Sequence, residues 1–273
     1  MIVQYENIKL NLEHLTEFDP SKKTILFLHG FTGSANDWTN IFQKIDKRFN
    51  KIALDLIGHG KSSSPSSVNY YMAESLVNQI DQVINNLRLK ETIFCGYSMG
   101  GRVALNFAIA KPDLVKGLIL ESTSAGFKNV KEKDARVKSD EDLAVYIENN
   151  SLEDFAAMWL DQELFGTLRR FSNDKLKRMK EERAKNSKMG LANSLRGFGS
   201  GVMPYLGSEL AKLKIPVYLI TGELDDKFTQ INQNLKKSTP SAKHKIITAA
   251  GHNSHLEEPK KFIEAVNSFL SRF

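Results

Sequence analysis

Six short apolar runs recur along the chain, with helix-length stretches between them: TILFLHG at 24–30, KIALDL at 51–56, TIFCGY at 92–97, KGLILES at 116–122, PVYLITG at 216–222 and KHKIITA at 243–249. Each is bounded by Gly, Pro or charged residues. Runs this short, rich in Ile, Leu, Val and Phe, are the mark of strands buried on both faces of a mostly parallel sheet. Helical patterns are predicted near 36–46, 70–89, 99–111, 228–238 and 258–272. In the second, Leu76, Val77, Ile80, Val83, Ile84 and Leu87 form a stripe at helical period. The alternation predicts an α/β fold with helices on both faces of the sheet. An antiparallel hairpin in the first twenty residues would add an edge and bring the sheet to eight strands.

One stretch breaks the alternation. From Ser124 to Lys212 nothing reads as a strand and helical patterns follow one another. The predicted organisation is therefore a core of residues 1–123 and 213–273, with 124–212 inserted as a helical cap. Such a cap would cover the carboxyl ends of the strands, the edge at which open α/β sheets bind ligands.

Composition removes several classes. The 273 residues are 41% apolar and 26% charged, as in ordinary globular proteins. No run approaches the roughly 18 apolar residues of a membrane span. The N-terminal sequence lacks the basic-then-apolar layout of a signal peptide. Cys95 is the one cysteine, so no internal disulfide can form and a cysteine-based metal site is disfavoured. A cytoplasmic protein without a membrane partner is expected. The net charge of +6 raises the question of nucleic acid. The basic residues are not clustered over the chain; many lie between Lys128 and Arg196, interleaved with acids as in KEKDARVKSDED and KLKRMKEERAK, and no nucleic-acid motif accompanies them. Solvated helix faces, or a local positive field for a small anion, account for them better.

The densest chemical signal is Gly96-Tyr97-Ser98-Met99-Gly100, a G-x-S-x-G placed after an apolar strand and before a helix. That placement puts Ser98 on a strained turn, with glycines where side chains would strike the neighbouring strand and helix. The helix that follows directs its N-terminal partial charge at the serine. A base and an acid should come later in the order Ser, acid, His. Gly251-His252 follows the last strand, and Glu223-Leu224-Asp225-Asp226 follows the strand before it. His252 is favoured over His255 as base. Asp225 is favoured over Asp226 as acid, being closer to its strand, although the adjacent pair leaves the choice open. Two backbone amides would complete the site: Met99, after the nucleophile, and Phe31, in the loop after the first parallel strand. His29, Asp55 and His59 read as loop and turn chemistry, and Cys95 as a small core residue.

Taken in order, HGF at 29–31, DLIGHGKS at 55–62, GYSMGG at 96–101, the segment from Gly222 to Asp225 and the closing Gly251-His252 resemble the α/β-hydrolase superfamily over essentially the whole chain. This scaffold hosts many reactions. Finer features narrow it. GYSMGGRVAL with Arg102, LILESTSAGF, Arg136 in DARVKSD, Trp159, Arg183 in EERAKNS, TGELDDKF and AAGHNSHLEEP are similar to the MenH family, the 2-succinyl-6-hydroxy-2,4-cyclohexadiene-1-carboxylate synthases of menaquinone biosynthesis. The resemblance implies elimination of pyruvate from 2-succinyl-5-enolpyruvyl-6-hydroxy-3-cyclohexene-1-carboxylate without metal or cofactor. It implies substrate contacts from Tyr97, Arg102, Arg136, Trp159 and Arg183. A monomer or weak homo-oligomer is expected. Three carboxylates on that substrate would call for guanidinium partners. The competing expectation on the same scaffold is a carboxylesterase or C–C bond hydrolase with Ser98 as nucleophile. A noncatalytic receptor would be marked by a missing triad member, and none is missing.

Overall fold

The computed structural model describes residues 1–14, 18–89 and 91–273. Its strands are β1 (Ile2–Tyr5), β2 (Ile8–His14), β3 (Thr24–Leu28), β4 (Asn50–Leu54), β5 (Thr92–Tyr97), β6 (Val115–Glu121), β7 (Val217–Gly222) and β8 (Ala242–Ile247). They form one eight-stranded sheet in the order β1-β2-β4-β3-β5-β6-β7-β8. The expected hairpin is present: β1 and β2 pair antiparallel, and β2 continues antiparallel onto β4. Every other pairing is parallel.

The helices are α1 (Thr39–Phe42), α2 (Ala73–Asn86), α3 (Met99–Ala110), α4 (Val130–Asn149), α5 (Leu152–Asp161), α6 (Asn173–Ala184), α7 (Lys188–Phe198), α8 (Asp226–Ser238), α9 (Ser254–Glu257) and α10 (Pro259–Leu270). Among the described residues, no helix is long and apolar enough to cross a membrane.

The two faces of the sheet explain why its strands read as unbroken apolar runs. Leu26, Leu28, Phe94, Leu118 and Leu120 point to the side covered by α2 and α3. Their neighbours Ile25, Phe27, Ile93, Cys95 and Ile119 point the other way, against Trp38, Phe42, Phe262 and Val266. Successive side chains alternate between faces, so a strand covered on both sides must be apolar at every position. Cys95 is wholly buried there, as a small core residue.

The first predicted helix is shorter than the sequence pattern suggests. Ala35–Trp38 form a 3-10 turn and α1 ends at Phe42. The ammonium of buried Lys51 donates to the carbonyls of Phe42 (3.1 Å) and Ile45 (2.8 Å), satisfying groups that a longer helix would have bonded internally.

Between β6 and β7 lie α4 to α7 and two 3-10 stretches, Glu163–Arg170 and Leu210–Lys212, with no strand. This charged segment folds because each helix carries its own N-cap. Asn129, Ser151, Ser172 and Ser187 accept from the backbone amides of Glu132, Asp154, Lys175 and Gly190. A cap of this kind stabilises a helix by about 1 kcal/mol. Beyond α7 the chain rejoins the body: Phe198, Met203, Leu206 and Leu210 pack in the same cluster as the sheet.

Candidate active site

Ser98 stands between β5 and α3 with φ 49° and ψ −106°. A non-glycine residue held there costs about 1–3 kcal/mol, and the surroundings must over-determine it. They do. The Ser98 amide donates to the Glu121 carbonyl at 2.8 Å, and its own carbonyl accepts from Thr123 Oγ1 at 2.6 Å. A Cβ on Gly96 would lie 2.6 Å from the Gly100 carbonyl carbon, and one on Gly100 would overlap the Leu28 backbone. The glycines of the motif are thus a packing requirement of the turn.

His252, between β8 and α9, is nearly inaccessible. Its Nδ1–H donates to Asp225 Oδ2 at 2.7 Å, and Nε2 lies 3.4 Å from Ser98 Oγ. Asp225 is itself fixed as the N-cap of α8, its Oδ1 accepting from the Phe228 amide at 3.2 Å. The Phe228 ring, 4.4 Å away, and the Tyr97 ring, 5.4 Å away, hold the imidazole on two sides. Asp226 is exposed on the first turn of α8, so geometry separates two acids that spacing could not. His255 is committed elsewhere, with Nδ1 on Glu121 Oε2 at 2.6 Å.

The loop after β3 carries Phe31. Both ring nitrogens of His29 serve that loop and its neighbour: Nδ1–H donates to the Gly30 carbonyl at 2.7 Å and Nε2 accepts from the Leu56 amide at 3.0 Å. Asp55 accepts from the amides of Ala35 (2.6 Å) and Lys61 (2.9 Å), the turn role expected of it. Among the described residues, the amides of Phe31 and Met99 have no backbone acceptor outside regular structure, which leaves both free for a ligand oxygen.

His59 sits behind this loop, fully enclosed, and burial followed by the neighbouring His29 pushes its pKa down to about 3 from 6.5. Below pH 6.5 the unfolded chain takes up a proton that the folded ring refuses until about pH 3. The stability tied to the neutral ring is complete above the unfolded pKa and is lost as pH falls through that window. Between pH 7 and pH 4.5 the loss is about 2–3 kcal/mol. Urea melts at those two pH values should show a smaller pH dependence in His59→Gln by that amount. An unchanged difference would refute the assignment.

A cavity of about 930 Å³ opens over Ser98 and His252. Phe31, Tyr97, Met99, Arg102, Arg136 and Trp159 all line it. Trp159 meets Phe31 edge-on at 5.2 Å, so it both packs the helical segment and forms cavity wall. Arg102 is one turn into α3; its Nη1 donates to the Phe198 carbonyl at 2.9 Å and its guanidinium lies over the Phe198 ring. Burial, then Arg136, lowers its pKa to about 10, which leaves it charged at neutral pH. Arg136 Nε donates to Asp140 Oδ1 at 2.8 Å. The second oxygen of Asp140 is buried without a partner among the described residues, and burial raises that carboxyl above its ordinary range.

Arg183 departs from the expectation. It is buried, its Nη1 turned back onto the Met179 carbonyl of its own helix at 3.1 Å, and it does not line the cavity. Its charge reaches the site indirectly: it opposes the burial and the Glu121 carboxylate that raise the Tyr97 hydroxyl well above its usual pKa. The sequence reading also missed Lys227, which follows the Asp225-Asp226 pair and lines the cavity, and Glu121, a charged residue closing an otherwise apolar strand. Among the described residues no three His, Cys, Asp or Glu side chains are grouped as metal ligands.

A strained serine, a buried His–Asp pair and two free amides at the carboxyl edge of a parallel sheet define an α/β hydrolase. The alpha/beta hydrolase fold model matches residues 23–259, and the chain belongs to that family. Its nearer relations are narrower in kind. A Bacillus subtilis protein provisionally named 2-succinyl-6-hydroxy-2,4-cyclohexadiene-1-carboxylate synthase is 39% identical over 92% of this chain and 91% of its own length. The Klebsiella pneumoniae protein named as the same synthase is 29% identical over 92% of this chain and 95% of its own. The structure of MenH from S. aureus superposes with a TM-score of 0.88 at 30% identity, covering 96% of this chain and 98% of that one.

Proposed function

We propose that the chain is a carbon–oxygen lyase that eliminates pyruvate from 2-succinyl-5-enolpyruvyl-6-hydroxy-3-cyclohexene-1-carboxylate, giving 2-succinyl-6-hydroxy-2,4-cyclohexadiene-1-carboxylate. The observation that carries this reading is a cavity that joins Ser98 and His252 to two arginines, buried Arg102 and half-buried Arg136. A simple esterase has no use for such cations, whereas a tricarboxylate needs them. The relatives named as this synthase support the same reaction.

In this mechanism His252, oriented by Asp225, takes the Ser98 proton. The alkoxide removes a proton from the ring carbon beside the succinyl ketone, and the Phe31 and Met99 amides hold the enolate oxygen that develops. The enolate re-forms its carbonyl, electrons shift through the ring double bond, and the C–O bond to the enolpyruvyl group breaks at the far end. Protonation of the departing enolate gives pyruvate. Arg102 and Arg136 bind carboxylate at one end of the cavity, and Lys227 supplies a third cation. Arg183 acts from behind Tyr97. Tyr97 and Trp159 flank the ring. Residues 124–212 serve as the cap that closes the cavity over these groups.

The test is to supply the enolpyruvyl cyclohexene substrate and follow pyruvate release and diene absorbance, beside a p-nitrophenyl ester. Rapid elimination with slow ester cleavage is expected. Rapid ester cleavage with no pyruvate would replace this reading with the carboxylesterase one, which the same Ser-His-Asp arrangement also serves.

A further inference from the structure

We infer that Glu121 is a positioning residue that holds the Ser98 turn and the His252 loop in register with each other. The inference rests on reading Ser98 and His252 as the reacting pair. Glu121 ends β6, between the strand that delivers Ser98 and the strand that delivers Asp225, and it is fully buried. Its main chain and its side chain grip different parts of the site. The carbonyl accepts from the Ser98 amide at 2.8 Å. The carboxylate accepts three hydrogen bonds from the segment just beyond His252: Ser254 Oγ at 2.7 Å and the His255 amide at 2.9 Å on Oε1, and His255 Nδ1–H at 2.6 Å on Oε2.

A buried carboxylate is costly unless its lone pairs are filled, and here all the donors come from two adjacent residues. His255 is in turn clamped between rings, stacked on Trp38 at 4.3 Å and edge-on to Tyr97 at 5.1 Å. Its Nε2 has no partner among the described residues, so Glu121 is the polar anchor of that ring. The Ser98–His252 separation thus depends on a residue that touches neither reacting atom. A displacement of about 1 Å between catalytic groups can cost about a hundredfold in rate.

The experiment compares wild type, Glu121→Ala, Glu121→Gln and Ser254→Ala. Three readings are taken: the rate at which a fluorophosphonate labels Ser98, kcat and KM for pyruvate release, and the downfield proton resonance of His252 Nδ1–H. Labelling needs no assumption about the natural substrate, so it reports on register even if the lyase reading fails. Glu121→Ala should label about a hundredfold more slowly, with KM changed less than about threefold and the resonance broadened or lost. Glu121→Gln should recover to within about tenfold: its oxygen can accept from Ser254 and the His255 amide while its NH₂ donates to the other His255 tautomer. A folded Glu121→Ala that labels at the wild-type rate overturns the inference. Should that variant not fold, Ser254→Ala decides: slower labelling by about three- to tenfold supports the inference, and an unchanged rate overturns it.

Discussion

Ser98→Ala is expected to slow pyruvate release by roughly a thousandfold or more while the protein stays folded and still binds substrate. The substitution removes the oxygen that lies 3.4 Å from His252 Nε2 and with it, on the proposed mechanism, the route by which the His–Asp pair generates a base. Asp225→Asn should lose about as much through a different cause. An amide at that position cannot hold the Nδ1–H tautomer that the 2.7 Å hydrogen bond now fixes, so Nε2 no longer presents its lone pair to the serine. Asp226→Asn should keep the rate within about twofold: it borders the cavity too, but it is exposed and the His252 Nδ1–H is already held by Asp225. Stopped-flow measurement of diene formation distinguishes these outcomes. Equal losses in the two aspartate variants would assign the acid wrongly.

Arg102→Ala should lower kcat/KM for elimination by about a hundred- to a thousandfold, because truncating one member of a buried charge pair commonly costs several kcal/mol. The guanidinium is held in place before substrate arrives, by the Phe198 carbonyl and ring. Arg102→Lys should recover little of the loss: an ammonium cannot reach the Phe198 carbonyl and a carboxylate with the planar fork that guanidinium offers. Cleavage of an uncharged p-nitrophenyl ester should be nearly indifferent to either change. A parallel fall in both activities would mean that Arg102 supports the α3 helix rather than a carboxylate.

The legible parts of this molecule are those in which a local pattern carries a three-dimensional demand. The strands could be read because burial on both faces forbids polar residues along them, and the Ser98 turn because its glycines are sterically compulsory at Gly96 and Gly100. Asp225 was distinguished only weakly from Asp226 by spacing. What separates them is a helix-cap bond to Phe228, a property of the folded turn. Arg183 shows the opposite limit: a guanidinium on a highly charged helix can point into a cavity or fold back on its own carbonyls, and composition is blind to which. Glu121 left a trace, a charge at the end of an apolar strand. Its partners Ser254 and His255 lie more than a hundred residues away and share no pattern with it.

The helical segment departs from β6 and returns on β7, and these two strands are direct neighbours, with Leu118 beside Val217. The two strands run parallel, so the chain leaves at Glu121 and re-enters at Val217, which lies beside Leu118, about 10 Å back along the strand. Topologically the segment is a long loop on a finished sheet, and loop-closure entropy rises slowly with length. The sheet, the Ser98 turn and the Asp225–His252 pair arise from chain outside it. Arg136 and Trp159, with more than half of the cavity wall, arise from chain inside it. On the proposed mechanism the reacting groups and Arg102 belong to the sheet while Arg136 and Trp159 belong to the inserted interval, so replacement of that interval would alter part of the anion's surroundings and leave the proton-transfer groups in place.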